Sequence, residues 1–551
     1  MPEVDAVIIG AGAAGPIVAK ELAFAGWRTV LLERGEWNTA ADCRKDDLRN
    51  QRTSILGHPF GPEDEGNPRV VVERDGRLRV VEPSAGGYHN NAACVGGGTL
   101  SYGAMAWRFH PHDFRMRTEY GTKVPAAFAD STLEDWPIGY DDLEPYYEQA
   151  EWEIGVSGDD STNPFRGERK RALPMPPLPP TREHEILWRG ALRAGLHPFH
   201  IPMLRNSVPY GGRPGCMRCR WCVGFACEVD AKCGTQNTVL PRALGTGNLT
   251  LRTGCQAQEV TMGPGGTATG VRYFDANGER QEQPARVVVV SASAIESARL
   301  LLNSKSNLFP RGLGNRHDWV GRNLQGHTYT GAYGLFADDV YDDLGPGASV
   351  AICDYNHGNA GMAGGAMLAN EFIRLPIQAA GIRPPGVPRW GKGHKDYFRT
   401  NYRRLVAVQG PTQEAPTFGM RVEVDAEVKD KFGIPVARLS GLKHPHTIEV
   451  GNLMAEKAEG WLRASGAETT WKKGAGQGIS GGQHQAGTCR MGRDAKTSVV
   501  DENLRIHETE NVYVVDGSVH VTNGGFNPVL TIMALAFRAG RHIAGAHRVR
   551  G

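Results

Sequence analysis

Residues 4–9, VDAVII, are a β-branched apolar run that predicts a strand. GAGAAG follows at 10–15, and in PIVAKELAFAG the apolar Val18, Leu22 and Ala25 keep helical spacing. TVLLE, closing on Glu33, predicts a second strand. A strand–helix–strand opening implies a parallel sheet. Residues 249–290 alternate as strands and hairpins do, with turns at GPGG and DANGE. VVVVSA at 287–292 predicts a fully buried strand, and IESARLLLNS after it a helix. Strands return over 404–440, with turns at FG and LSG, and a last helix starts near Pro528. The stretch 116–211 is less regular and carries the proline run PMPPLPP at 174–180. No repeat with a solenoid-like period is visible.

The chain has 551 residues, too many for one ordinary core, and the alternation of α/β and strand-rich stretches suggests two interleaved domains. Charge is balanced, 62 basic against 60 acidic residues. That argues against nucleic acid or an anionic membrane surface as the main partner. Seventy-one glycines are about twice the usual share, as expected around a large bound ligand that backbone approaches closely. No uninterrupted apolar run is long enough to span a membrane, and the N-terminus lacks the basic region of a leader. The expectation is a cytoplasmic protein without a membrane span. Five of the ten cysteines crowd between 216 and 233.

Gly10, Gly12 and Gly15 form GxGxxG between a strand and a helix. Such glycines allow a tight turn and bring backbone amides to a pyrophosphate at a helix N-terminus. Glu33, at the end of the second strand, is placed to accept hydrogen bonds from a ribose and disfavours a 2′-phosphate. Dinucleotide binding follows, without a choice between FAD and NAD. Pro16 is tolerable because a first-turn residue lacks an intrahelical N–H partner anyway.

Further motifs occur in order: VGGGTLSYGAMAWRFHPHDF at 95–114, EDWPIGYDDLEPYYEQAEWEIGVSG at 134–158, VVVVSASAIESARLLLNSK at 287–305, VGRNLQGH at 320–327, HQAGTCRMG at 484–492 and VYVVDGSVHVTNGGFNPVLTIMALAFRAG at 512–540. Over essentially its whole length the chain resembles the glucose–methanol–choline (GMC) flavin oxidoreductases. It looks closest to the branch with gluconate dehydrogenase flavoprotein subunits and pyranose oxidases. The resemblance implies an α/β fold (α+β overall): a Rossmann-like FAD-binding domain interleaved with a substrate domain built on an antiparallel sheet with flanking helices. The FAD-binding domain is expected over 1–115, 212–329 and 481–551, and the substrate-binding domain over 116–211 and 330–480.

By the same resemblance FAD is held by Gly10, Gly12, Ala13, Ala14, Gly15, Glu33, Arg34, Gly96, Gly97, Gly98, Thr99, Ser101, Asp516, Gly517, Asn527, Pro528 and Thr531. Pro528 opens the last helix, whose positive end would face the flavin. Ser101 stands where pyranose oxidases carry the histidine bonded to FAD, so a non-covalent cofactor is expected. His484 corresponds to the family's catalytic base, and Asn527 to the residue that orients the substrate oxygen. His507 and His520 are expected to be structural. The activity implied is oxidation of a secondary alcohol on a sugar, glycoside or sugar acid to a ketone, with oxygen, a quinone or a cytochrome reoxidising the flavin. Polar candidates for the sugar are Asp354, Tyr355, Asn356, His357, Gln413 and Glu414, with Trp390 and Tyr397 as further guesses. Cys216, Cys219, Cys222, Cys227 and Cys233 have spacing that suits a metal or an Fe–S cluster, as in relatives that feed a cytochrome. The expectation here is disulfides or free thiols, without a metal. The alternatives are such an Fe–S dehydrogenase subunit or a hydroxynitrile-lyase-like flavoprotein without net redox chemistry. An NAD(P)H:flavin oxidoreductase would want a second GxGxxG after a strand, and none is found.

Overall fold

The computed structural model describes residues 1–43, 45, 60–89, 92–480 and 482–547. Val4–Ile9 lies at the centre of a sheet, paired in parallel with Thr29–Leu32 on one side and Arg280–Val290 on the other. Leu249–Arg252 and Val512–Val514 extend it, also in parallel. Val4–Ile9, Thr29–Leu32, residues 287–290 and Val512–Val514 are almost wholly buried, which is why these stretches read as continuous apolar runs rather than alternating ones. Arg280–Val290 serves two partners. Residues from Ala285 onward pair with Val4–Ile9, while Arg280 to Pro284 pair antiparallel with Ala268–Phe274. Pro284 stands at that change of partner. The helices Gly15–Phe24 and Val529–Ala546 pack on each other against the sheet, with Gly540 close on the Glu21 side chain.

A second sheet is antiparallel throughout, in the order Thr469–Lys473, Thr328–Leu335, Leu405–Thr412, Leu368–Asn370, Val350–Ile352, Phe199–Met203, Ser157–Asp159. The helix Pro445–Ala464 lies on it and buries Val450, Met454 and Trp461. A third sheet joins Leu78–Val81 and Arg69–Val72 to Pro435–Ser440 and Arg421–Lys429. It thus links segments assigned above to different domains. Arg69, fully buried, is held there by Glu296 at 2.6 Å, and Arg299 joins Glu296 to Asp430. Burial pushes the Glu296 carboxyl up, but the two guanidinium groups outweigh it and keep the group ionised.

The predicted opening strands and helix, the strands of 249–290, the helix Ala294–Asn303 and the C-terminal helix are all present. Two ends differ by a residue. The second strand stops at Leu32, leaving Glu33 just beyond it, and Pro528 caps the last helix instead of starting it. Among the described residues no helix is long and apolar enough to cross a membrane.

Candidate active site

Two adjoining cavities, of about 260 and 300 Å³, share Ala13, Ala92, Gly98, Gln485 and Ile532 on their walls; the first lies at the ends of the parallel strands, and the second reaches Tyr329 of the antiparallel sheet. The first follows the fingerprint. Gly12 has open space where a side chain would stand, as has Gly98. Gly10 and Gly15 do a different job. A Cβ on Gly15 would meet the Gly10 carbonyl at 2.0 Å, and one on Gly10 the Ser291 carbonyl at 2.3 Å. They let strand and helix close on each other, while Gly12 and Gly98 leave room for a ligand. Glu33, Arg34, Ala14, Asp516 and Gly517 also line this cavity. Glu33 accepts Ala11 N–H at 2.8 Å and Gly35 N–H at 2.9 Å, and each oxygen keeps a second lone pair for a ribose. Asp516 accepts from Ser293 N–H, Ser297 Oγ–H and Ser518 N–H. Burial pushes both carboxyls up against these bonds.

The remaining cofactor candidates are split. Thr99, Ser101 and Pro528 line the second cavity, and Gly97 the first. Gly96 packs on Gln236. Thr531 is fully buried, with its hydroxyl 2.7 Å from that of Tyr147, and does not line either cavity. Three buried polar atoms on the walls, Gln258 Oε1, Ser291 Oγ and Asn527 Oδ1, have no partner among the described residues. An elongated cleft with glycines at its floor, a carboxylate at one end and unmet polar atoms along it fits a flavin dinucleotide. The first turn of Val529–Ala546 opens on the second cavity through Pro528 and Val529, where its dipole favours negative charge.

The catalytic candidates meet in the second cavity. Gln325 and Ala486 exchange backbone hydrogen bonds at 3.0 and 2.9 Å, and His327 N–H reaches the Gln483 carbonyl. These contacts hold residues 325–327 beside 483–486. His484 sits at φ +59, a left-handed conformation uncommon for a non-glycine residue, and Asn523 Nδ2 clamps its carbonyl at 2.7 Å. Its Nδ1 is 3.0 Å from His327 Nδ1, and its Nε2 is 3.4 Å from Asn527 Nδ2. Asn527 Nδ2 also donates to the Tyr329 hydroxyl at 2.8 Å.

The partners set the tautomers. His327 Nε2 faces the Gly524 carbonyl at 2.9 Å, and a carbonyl only accepts, so Nε2 carries the hydrogen. Burial lowers the His327 pKa and keeps the ring neutral, which leaves Nδ1 as an acceptor. His484 must then donate from Nδ1, and its Nε2 presents a lone pair to the cavity. Such a group can take a proton from a hydroxyl beside the Asn527 amide. His327 lies within a motif quoted above, and Tyr329 two residues beyond. Neither was assigned a role, because the pairing is made across segments some 160 residues apart. The hint in sequence was a histidine and a tyrosine two positions apart, the spacing at which extended chain turns side chains to one face.

The expected sugar contacts are not gathered here. Glu371 and Phe372 are the members of 330–480 among the residues lining the second cavity. Asp354 pairs with His197 at 2.7 Å, and His357 lies between Asp113 and Tyr120 at another cavity. Gln413 and Glu414 are buried, Glu414 accepting from Gly326 N–H and Thr328 beside His327. Trp390 is 83% exposed. His520 is a core residue packed edge-on against Phe109 and tilted against Trp136, and His507 bonds Ser498. None of the ten cysteines is paired in a disulfide. Arg213 donates to Cys233, and among the described residues no three His, Cys, Asp or Glu side chains are placed to hold a metal ion.

Comparison with known proteins gives the family and the fold. Residues 90–329 and 421–536 match the N- and C-terminal models of the GMC oxidoreductases. The chain is 30% identical to a 6'''-hydroxyparomomycin C oxidase of Streptomyces lividus, over 98% of this chain and 91% of the relative. It is 26% identical to a gluconate 2-dehydrogenase flavoprotein of Pantoea cypripedii, over 98% and 94%. A solved pyridoxine 4-oxidase from Mesorbium loti shares the fold at TM-score 0.63 and 19% identity, over 99% and 100% of the two chains.

Proposed function

The chain belongs to the GMC oxidoreductase family, and on that premise we propose that it oxidises a ring secondary alcohol of a sugar, glycoside or sugar acid to the ketone. FAD would be held, without a covalent bond, by residues along the cleft from Glu33 to Asn527, and would supply the hydride acceptor. His484 takes the hydroxyl proton at Nε2, and Asn527 Nδ2 orients the same oxygen. Tyr329 fixes the Asn527 amide through their 2.8 Å contact. The proton taken leaves His484 cationic, and its Nδ1–H, already donated to His327, then makes a stronger charge-assisted bond.

The observation that carries this reading is the His327–His484 contact, which leaves a lone pair directed into the cavity. The walls there mix Tyr329, Glu371 and Gln485 with Met105, Phe372 and Ile532. A polyhydroxylated ring, with apolar faces and polar edges, suits such a mixture. A primary alcohol is the second reading. One relative is named for 6'''-hydroxyparomomycin, and carbon 6 of a hexopyranose lies outside the ring.

The test is anaerobic reduction of the flavin by substrate. His484→Ala lowers the reduction rate by roughly 10²–10⁴-fold, and Asn527→Ala slows it as well. Unchanged reduction in both variants would remove the pair from the mechanism.

A further inference from the structure

Leu368–Asn370 and Leu405–Thr412 are paired neighbours in the second sheet, yet the chain between them makes a long excursion. It contains the short helix Pro376–Ala379 and the helix Gly391–Asn401, which buries none of its residues. Residues 376–402 hold Arg383, Arg389, Lys392, Lys395 and Arg399 against one acid, Asp396. That is +4 in a chain whose total is +2. Overall charge balance argued above against an anionic surface as partner, but it averaged out this local excess.

The charges are displayed outward. Lys392, Lys395 and Arg399 follow at helical spacing on one face of Gly391–Asn401, and all three are exposed. Asp396 lies among them, paired with Lys392 at 2.6 Å and Arg399 at 3.8 Å, in solvent-exposed contacts that salt screens. Trp390 precedes the helix with 83% of its surface exposed, and Ile377 is exposed on the neighbouring helix. The acids of 338–343 meet the excursion at its base, where Asp343 pairs with Arg403 and Asp339 with Arg404.

We propose that this excursion docks the protein on an anionic lipid bilayer. A short helix with lysine and arginine outward and an unburied indole beside them matches the two layers of such a surface. The cations meet lipid phosphates, and the tryptophan sits at headgroup depth. An acidic protein would satisfy the charges but not call for the exposed indole and isoleucine. The excursion leaves the sheet directly after Glu371 and Phe372, which line the substrate cavity.

The experiment is cosedimentation of the purified holoprotein with phosphatidylcholine vesicles, with and without phosphatidylglycerol, at low and high salt. Binding is read without turnover, so the result is independent of the proposed oxidation. The protein should sediment only with phosphatidylglycerol present and be released by salt. Each basic residue is expected to contribute roughly fivefold to partitioning. The combined Lys392→Gln, Lys395→Gln, Arg399→Gln variant should therefore bind on the order of a hundredfold less. Trp390→Ala should weaken binding while leaving the salt dependence in place. Equal binding to both vesicle types, no binding at low salt, or an unaffected triple variant would overturn the proposal. So would displacement by soluble polyglutamate combined with a silent Trp390→Ala, which would assign the face to an acidic protein.

Discussion

Replacing His327 with leucine tests the proton-acceptor geometry without touching His484. The substitution removes the acceptor that His484 Nδ1–H meets at 3.0 Å and the donor that Gly524 O meets at 2.9 Å. A neutral hydrogen bond of this kind contributes about 1 kcal/mol net. Losing it lets the His484 proton settle on Nε2, which makes the cavity-facing nitrogen a donor. That bias alone is worth roughly five- to tenfold in rate. A small displacement of the imidazole adds to it, since misplacement by about 1 Å can cost 10²-fold. Flavin reduction at saturating substrate should therefore fall about 10- to 100-fold, read by anaerobic stopped-flow absorbance. The acid limb of the rate profile should also move to lower pH, because the cationic form of His484 loses more than the neutral one. His327→Gln keeps a donor and an acceptor and should recover part of the rate. Leaving Gly524 O unpaired also lowers stability, by about 1–3 kcal/mol, so melting is measured alongside. A His327→Leu enzyme that melts lower but reduces its flavin at the wild-type rate, with an unmoved pH profile, would refute the reasoning.

Other outcomes follow from the same structure. The purified protein should be yellow and should release its flavin on acid precipitation, as the family resemblance implies by setting Ser101 where a linking histidine would stand; colour that stays with the precipitate would contradict this. Burial holds His89, His110, His184 and His520 neutral, with pKa values of about 4 against an ordinary 6.5. Their contribution to stability is complete above about pH 6.5 and is lost as pH falls toward about 4, because only the unfolded chain takes up the protons. Each contributes up to about 1.4 kcal/mol per pH unit in that window. The melting temperature should fall steeply between these values and stay level above them; a flat profile through the window would be incompatible.

Much of the fold could be read locally. The opening strands and helix, the strand ending at Val290 and the helix behind Pro528 announce themselves by apolar runs, glycine turns and a proline. His484 and Asn527 stand in short motifs, and they meet in one cavity. What local pattern cannot carry is contact between distant segments. Arg438 and Leu439 pair in parallel with Val70 and Val71, across most of the chain. The His327–His484 bond and the Tyr329–Asn527 bond are of the same kind. The polar residues at 354–357 looked suited to a sugar, but Asp354 and His357 bond to His197, Asp113 and Tyr120 instead. Periodicity says that a side chain is polar and not which partner it will find.

We propose alcohol oxidation by a bound flavin, with sugar-type substrates preferred. It is tested most directly by adding sugars, glycosides, polyols and sugar acids, and separately aryl and long-chain alcohols, to the purified protein under anaerobic conditions while flavin absorbance is followed. A sugar-type compound should bleach the flavin fastest, with the ketone formed in step with bleaching and the reaction crippled in His484→Ala. A flavin that no alcohol bleaches, or one that aryl or long-chain alcohols bleach faster than every sugar, glycoside and sugar acid, would contradict the account.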